Sequence, residues 1–128
     1  MGEDDVFKKE EKIKEETMKY VLLVICLIGS SLLIAHPASE VNLEFYKETS
    51  ILTVNFMHEV KDVEKHFIFE VKVYLNKEEI IEQKIEKQDN LETGKLVYKI
   101  IDAKSGDKIK VRTNCNKTGK KSAAIEID

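Results

Sequence analysis

The sequence predicts an all-β fold: a seven-stranded antiparallel β-sandwich preceded by one N-terminal transmembrane or signal-anchor helix. Three observations lead there. Apolar and polar residues alternate from Val41 onward, turn-rich segments interrupt that alternation at regular intervals, and a 16-residue uncharged run precedes it. The first 35 of the 128 residues differ so much in composition that they cannot share a core with the rest. About 90 residues remain, enough for a sandwich to bury its own interior. Charged residues make up 35% of the chain with both signs interspersed, and the net charge is −3. No basic face is implied, which argues against nucleic acid or anionic lipid as a partner.

Residues 1–19 carry five lysines against seven acids, with no apolar periodicity after Val6 and Phe7. They are expected to form a charged cytoplasmic tail, disordered or loosely helical. The run from Tyr20 to Ala35, YVLLVICLIGSSLLIA, exceeds most signal-peptide cores and falls short of the ~20 residues that span a bilayer comfortably. Whether read as signal or as anchor, it sends the rest of the chain out of the cytoplasm. Lys14 and Lys19 precede the run and the next lysine is Lys47, which leaves the N-terminus inside. Leu33 is a poor residue three positions from a cleavage point after Ala35. The expectation is therefore an uncleaved membrane anchor at residues 20–35 and a folded domain, residues 36–128, outside the cytoplasm.

The strands follow in order. Val41, Leu43 and Phe45 alternate with Asn42 and Glu44 in 41–46; Leu52, Val54 and Phe56 alternate with Thr53 and Asn55 in 51–57. The clearest strand is 67–75, where Phe67, Phe69, Val71, Val73 and Leu75 share one face, predicting Phe69, Val71 and Val73 in the core. Asn76-Lys77 suits a tight hairpin turn. Weaker strands are expected at 79–85, 95–101, 108–115 and 122–127, although the charge pattern of 77–87 also fits a helix. The separators Glu92-Thr93-Gly94, Ser105-Gly106-Asp107 and Asn116 to Lys121 are rich in turn residues.

Few residues can carry chemistry. The chain has no glycine-rich phosphate loop, no nucleophile elbow and no CxxC pair, and its carboxylates are scattered over outward positions. Three histidines and two cysteines remain. Cys26 lies inside the apolar run, so a disulfide with Cys115 would join lipid to domain. Leu-Val-Ile before Cys26 lacks the small residues of a lipoprotein site, which argues against lipidation. Cys115 is then a lone thiol in an exported domain and needs a reason. His58 shares inward parity with Leu52, Val54 and Phe56; His66 opens the next strand; Cys115 shares parity with Ile109, Val111 and Thr113. A sandwich can bring these ends to one rim, giving nitrogen and sulfur donors of the kind that hold a transition metal. Loop capping by the histidines and apolar filling by Cys115 are the bland alternatives.

His66-Phe67-Ile68, preceded eight residues earlier by His58, resembles the paired-histidine loop and His-Tyr-Ile strand of the superoxide reductase (desulfoferrodoxin) iron domain. Cys115-Asn116-Lys117-Thr118-Gly119 resembles that family's Cys-Asn-x-His-Gly motif, and His36-Pro37 stands where the family has its first histidine. The similarity runs from His36 to Asp128. It implies an immunoglobulin-like sandwich holding a mononuclear non-haem iron, with four planar histidine nitrogens, an axial cysteine sulfur and an open position for superoxide. It also implies one-electron reduction of superoxide, with the thiolate pushing density onto iron, and an electron-donor protein that the sequence does not identify. Carried over by position, the ligands are His36, His58, His66 and Cys115. Thr118 stands where the fourth histidine would be, Leu32 to Ala35 replaces the family's Glu-Lys, and the interval from His58 to His66 is longer than the family's. Three nitrogens and one sulfur suit tetrahedral zinc or iron as well as an open redox site. Two other readings remain: an exported interaction or carrier domain without redox catalysis, and copper or zinc handling with His36 as a free N-terminal ligand after cleavage.

Overall fold

The computed structural model describes residues 2–29 and 36–128, and side chains over 2–24 and 36–128. Two compact units emerge, 1–34 and 35–128. The first holds helix α1, Glu3–Gly29. Of the two states expected for residues 1–19, the helical one is found: the charged segment is continuous helix and runs into the apolar segment without a break at residue 19. The physical reasons are local. Glu3, Asp4 and Asp5 in the first turn complement the helix dipole, and no glycine or proline interrupts the helix before Gly29. Among the described residues no helix is long and apolar enough to cross a membrane. The last part of the expected anchor, residues 30–35, lies outside the described residues, as does the side chain of Cys26.

The second unit contains seven strands: β1 Glu40–Tyr46, β2 Ile51–Met57, β3 Ile68–Leu75, β4 Glu78–Lys84, β5 Thr93–Lys99, β6 Lys108–Cys115 and β7 Lys120–Glu126. All pairings are antiparallel, in a three-stranded sheet β1-β2-β5 and a four-stranded sheet β4-β3-β6-β7. Segment 78–84 is strand, not helix. β4 lies beside β3 rather than beside β5, where a constant-type immunoglobulin order would put it. The cause is the turn between them: Asn76 and Lys77 both take positive φ (50° and 77°), the two-residue turn whose twist joins adjacent antiparallel strands.

Leu52, Val54 and Phe56 from β2, Val71 and Val73 from β3, and Ile109 and Val111 from β6 form the buried core. Phe69 does not join them. The pairing of β3 with β6 shifts register between Ile68 and Glu70, and this bulge changes which side chains point inward. Ile68 is 1% exposed, while Phe69 is half-buried with Lys84 Nζ 5.5 Å from its ring centroid. Glu70, expected to face outward, is buried and accepts hydrogen bonds from Lys84 and Asn114. β5 also starts two residues before the expected 95, because Gly94 pairs with Phe56 and lies under its ring. A Cβ at Gly94 would fall 2.1 Å from Phe56 Cζ.

Strand alternation decides where the loops gather. Glu40 pairs with Met57, Met57 with Thr93, Glu70 with Lys84, Ile68 with Cys115 and Asn114 with Lys120. The segment before β1 and the connections β2–β3, β4–β5 and β6–β7 therefore share one rim of the sandwich. Every candidate ligand falls on that rim.

Candidate metal centre

His58 follows the end of β2 with its ring fully buried, and its backbone N–H donates to Glu92 O at 2.8 Å. Val60 N to Leu91 O (2.7 Å) and Gln88 N to Val63 O (3.1 Å) tie the β2–β3 loop to the β4–β5 loop along its length. The long interval between His58 and His66 is thus filled by ordered structure: a turn in which Asp62 Oδ1 accepts from Glu64 N at 3.0 Å, and Asp62 O from His66 N at 3.0 Å. The Glu64 amide and then Lys65 hold the Asp62 carboxyl below its usual pKa.

His66 is placed by Asn116. That side chain accepts from Phe67 N at 3.0 Å and donates to Lys65 O at 3.1 Å, while Asn116 N donates to Phe67 O at 3.0 Å. The residues on both sides of His66 are clamped by the neighbour of Cys115. His66 Nε2 accordingly lies 3.1 Å from Cys115 Sγ, which is 5% exposed and also receives the Lys117 N–H at 3.4 Å.

His36 reaches the rim through Pro37. Gly119 has φ +90°, and a Cβ there would lie 2.7 Å from Pro37 Cδ, so the proline packs on bare backbone. The His36 ring centroid is 5.1 Å from that of His58 and 5.2 Å from that of His66, and those two are 4.7 Å apart. Its Nδ1 donates to Pro37 O at 2.9 Å, and its carbonyl oxygen lies 3.1 Å from His58 Nε2.

Donor atoms of His58, His66 and Cys115 lie within 4.8 Å of one another, a buried group able to bind a metal ion. Bonds of ~2.1 Å to nitrogen and ~2.3 Å to sulfur put a cis N/S pair about 3.1 Å apart at a right angle and about 3.6 Å apart at a tetrahedral one. The observed His66–Cys115 separation of 3.1 Å fits within that range. Burial, then the charges of His58, His36 and Lys117, hold the His66 imidazole below its usual pKa, with the His36 backbone acting the other way. A lowered pKa favours the neutral ring, the form that ligates.

No family model and no curated protein matches the chain. The site is therefore read from its own geometry. All four expected ligand positions meet at one rim: His58, His66 and Cys115 as one donor group, and His36 beside it. Thr118 is exposed in the β6–β7 loop. Sequence reasoning missed two residues. Asn116 was seen only as part of a motif, without its clamping role. Gln88, 4% exposed and bonded to His58, sits in a polar loop where nothing in the local pattern marks a glutamine as special.

Proposed function

We propose that the domain binds a single iron ion through His58, His66 and Cys115, with His36 as a further donor, and that it is related to superoxide reductase. The observation that carries this reading is the convergence of all three histidines of the chain with Cys115, His66 Nε2 lying 3.1 Å from the sulfur. A lone thiol in an exported domain is accounted for if it is a ligand. Bound there, iron would supply the electron for superoxide reduction. The chain's own residues prepare for this: burial keeps solvent from the Cys115 sulfur, neutral His66 offers a lone pair, and Asn116 fixes the two relative to each other. Turnover would draw electrons from a donor protein. We place the domain outside the cytoplasm, held at the membrane by residues 20–35, on the strength of that uncharged run and the lysines before it.

One observation favours a second reading. The chain has only three histidines, and exposed Thr118 stands at the position of the family's fourth. Three nitrogens and a sulfur suit closed tetrahedral zinc, and copper accepts the same donors; the domain would then be a metal carrier or interaction module without redox catalysis.

Metal analysis of the full chain separates these. The iron reading expects about one iron per chain. It also expects a visible sulfur-to-iron absorption after air oxidation, abolished by Cys115→Ser with the β dichroism unchanged. Stoichiometric zinc without superoxide consumption selects the second reading, and a chain that takes up no metal removes both.

A further inference from the structure

Gln88 lies in the β4–β5 loop and is almost fully buried. Its side-chain nitrogen donates to two backbone carbonyls, His58 O at 2.7 Å and Asn90 O at 2.9 Å. These two acceptors decide which end of the amide is which. Turned over, Oε1 would face two carbonyl oxygens at hydrogen-bond distance with no hydrogen between them, leaving buried acceptors unpaired. Oε1 therefore faces His58 Nδ1, at 2.8 Å. An amide oxygen only accepts, so the ring hydrogen of His58 is on Nδ1.

A neutral imidazole carries one ring hydrogen, and its other nitrogen keeps a lone pair. That nitrogen, Nε2, looks at a second acceptor, the His36 carbonyl oxygen, at 3.1 Å. With Gln88 in place the Nε2 lone pair and the His36 carbonyl oxygen face each other with no hydrogen between them, a pair of acceptors that a cation would satisfy. Without Gln88 the opposite tautomer would be preferred: Nε2–H would donate to His36 O, and the lone pair would sit on Nδ1, facing position 88.

We infer that Gln88 is a positioning residue that holds His58 in its Nδ1-protonated tautomer and so reserves Nε2 for the metal. The inference rests on the metal-binding reading above for its purpose, but the tautomer can be read without any metal. A histidine that ligates through one nitrogen commonly donates from the other to a fixed acceptor, and loss of such an acceptor costs about 10- to 100-fold in affinity.

The test uses the full chain with nitrogen-15 histidine, metal-free, at pH 8. Long-range proton–nitrogen correlations report which His58 nitrogen carries hydrogen. The wild type is expected to show Nδ1–H. Gln88→Leu is expected to convert His58 to Nε2–H and to weaken cobalt(II) binding by about 10- to 100-fold, with the His66 and Cys115 resonances in place. A residue that merely braced the loop would leave the His58 tautomer unchanged in Gln88→Leu, so the tautomer readout separates the two roles. Nε2–H or a doubly protonated ring in the wild type would overturn the inference, as would Gln88→Leu with both tautomer and cobalt affinity unchanged. A wild type that shows Nδ1–H but binds no cobalt would support the tautomer lock and overturn the metal-binding reading instead.

Discussion

Gly119→Ala and Gly106→Ala form a matched pair that measures how much the sandwich spends to keep His36 at the rim. Both glycines have nearly the same backbone, φ +90° and φ +85°. An alanine in this left-handed region costs about 1–2 kcal/mol at either position. At Gly106 a new Cβ meets nothing within 4 Å, so that cost stands alone. At Gly119 it would meet Pro37 Cδ at 2.7 Å and Pro37 N at 3.0 Å, where carbon atoms rest at about 3.5–4.0 Å. Pro37 has a rigid ring and one of the contacted atoms is backbone, so the strand entrance itself must move, an overpacking cost of about 1–3 kcal/mol more. Urea unfolding of the two variants should show a loss about 2 kcal/mol larger for Gly119→Ala. At a slope near 1 kcal/mol/M that is a midpoint difference of roughly 2 M. Cobalt(II) titration should show weakened binding for Gly119→Ala, because His36 moves with Pro37, and unchanged binding for Gly106→Ala. Equal losses of stability together with equal cobalt affinities would refute the argument that Pro37 seats His36 by packing on Gly119.

The bulge in β3 predicts that Ile68→Ala costs about 2–5 kcal/mol. Phe69→Ser costs clearly less, since that ring is half-buried; the reverse order in thermal unfolding would mean that the regular alternation holds after all. Asn76 and then the Lys104 amide hold the Asp107 carboxyl below its ordinary value of 3.8. A depressed folded-state pKa contributes stability that is present above the unfolded value and lost as pH falls through the folded one. Stability should therefore decline below about pH 4, and Asp107→Asn should flatten that limb of a pH series while lowering stability at neutral pH; an acid limb identical to wild type would show that the carboxyl does not matter.

Period-two alternation made the seven strands legible because each buries one face, so their sequence carries the sheet's geometry directly. What alternation cannot carry is a bulge. The extra residue before Glu70 leaves no mark in the composition of Phe67 to Leu75, and Phe69 was therefore assigned to the wrong face. Gly94 misled in a similar way: glycine reads as a turn signal, yet here it makes room for the Phe56 ring within a strand. The meeting of His58, His66 and Cys115 was legible because ends of even-numbered strands and starts of odd-numbered ones must share a rim. The role of Gln88 was not, because it depends on a loop contact 30 residues away from His58 in sequence. In the N-terminal segment, charge density left disorder and helix both open; the residues are good helix formers with acids at the correct end, and the helix forms.

The rim is assembled from segments that the ribosome delivers at very different times. His36 precedes the first strand, while Cys115 ends the sixth and is clamped to residues 65–67 only when β6 has paired with β3. A nascent chain thus exposes its histidines well before it offers its sulfur, and the His66–Cys115 pair waits on one of the most non-local strand contacts in the fold. If the rim takes an ion, loading waits for the finished molecule: a half-made domain lacks the complete set of donors, and a misfolded one that never docks β6 cannot assemble it.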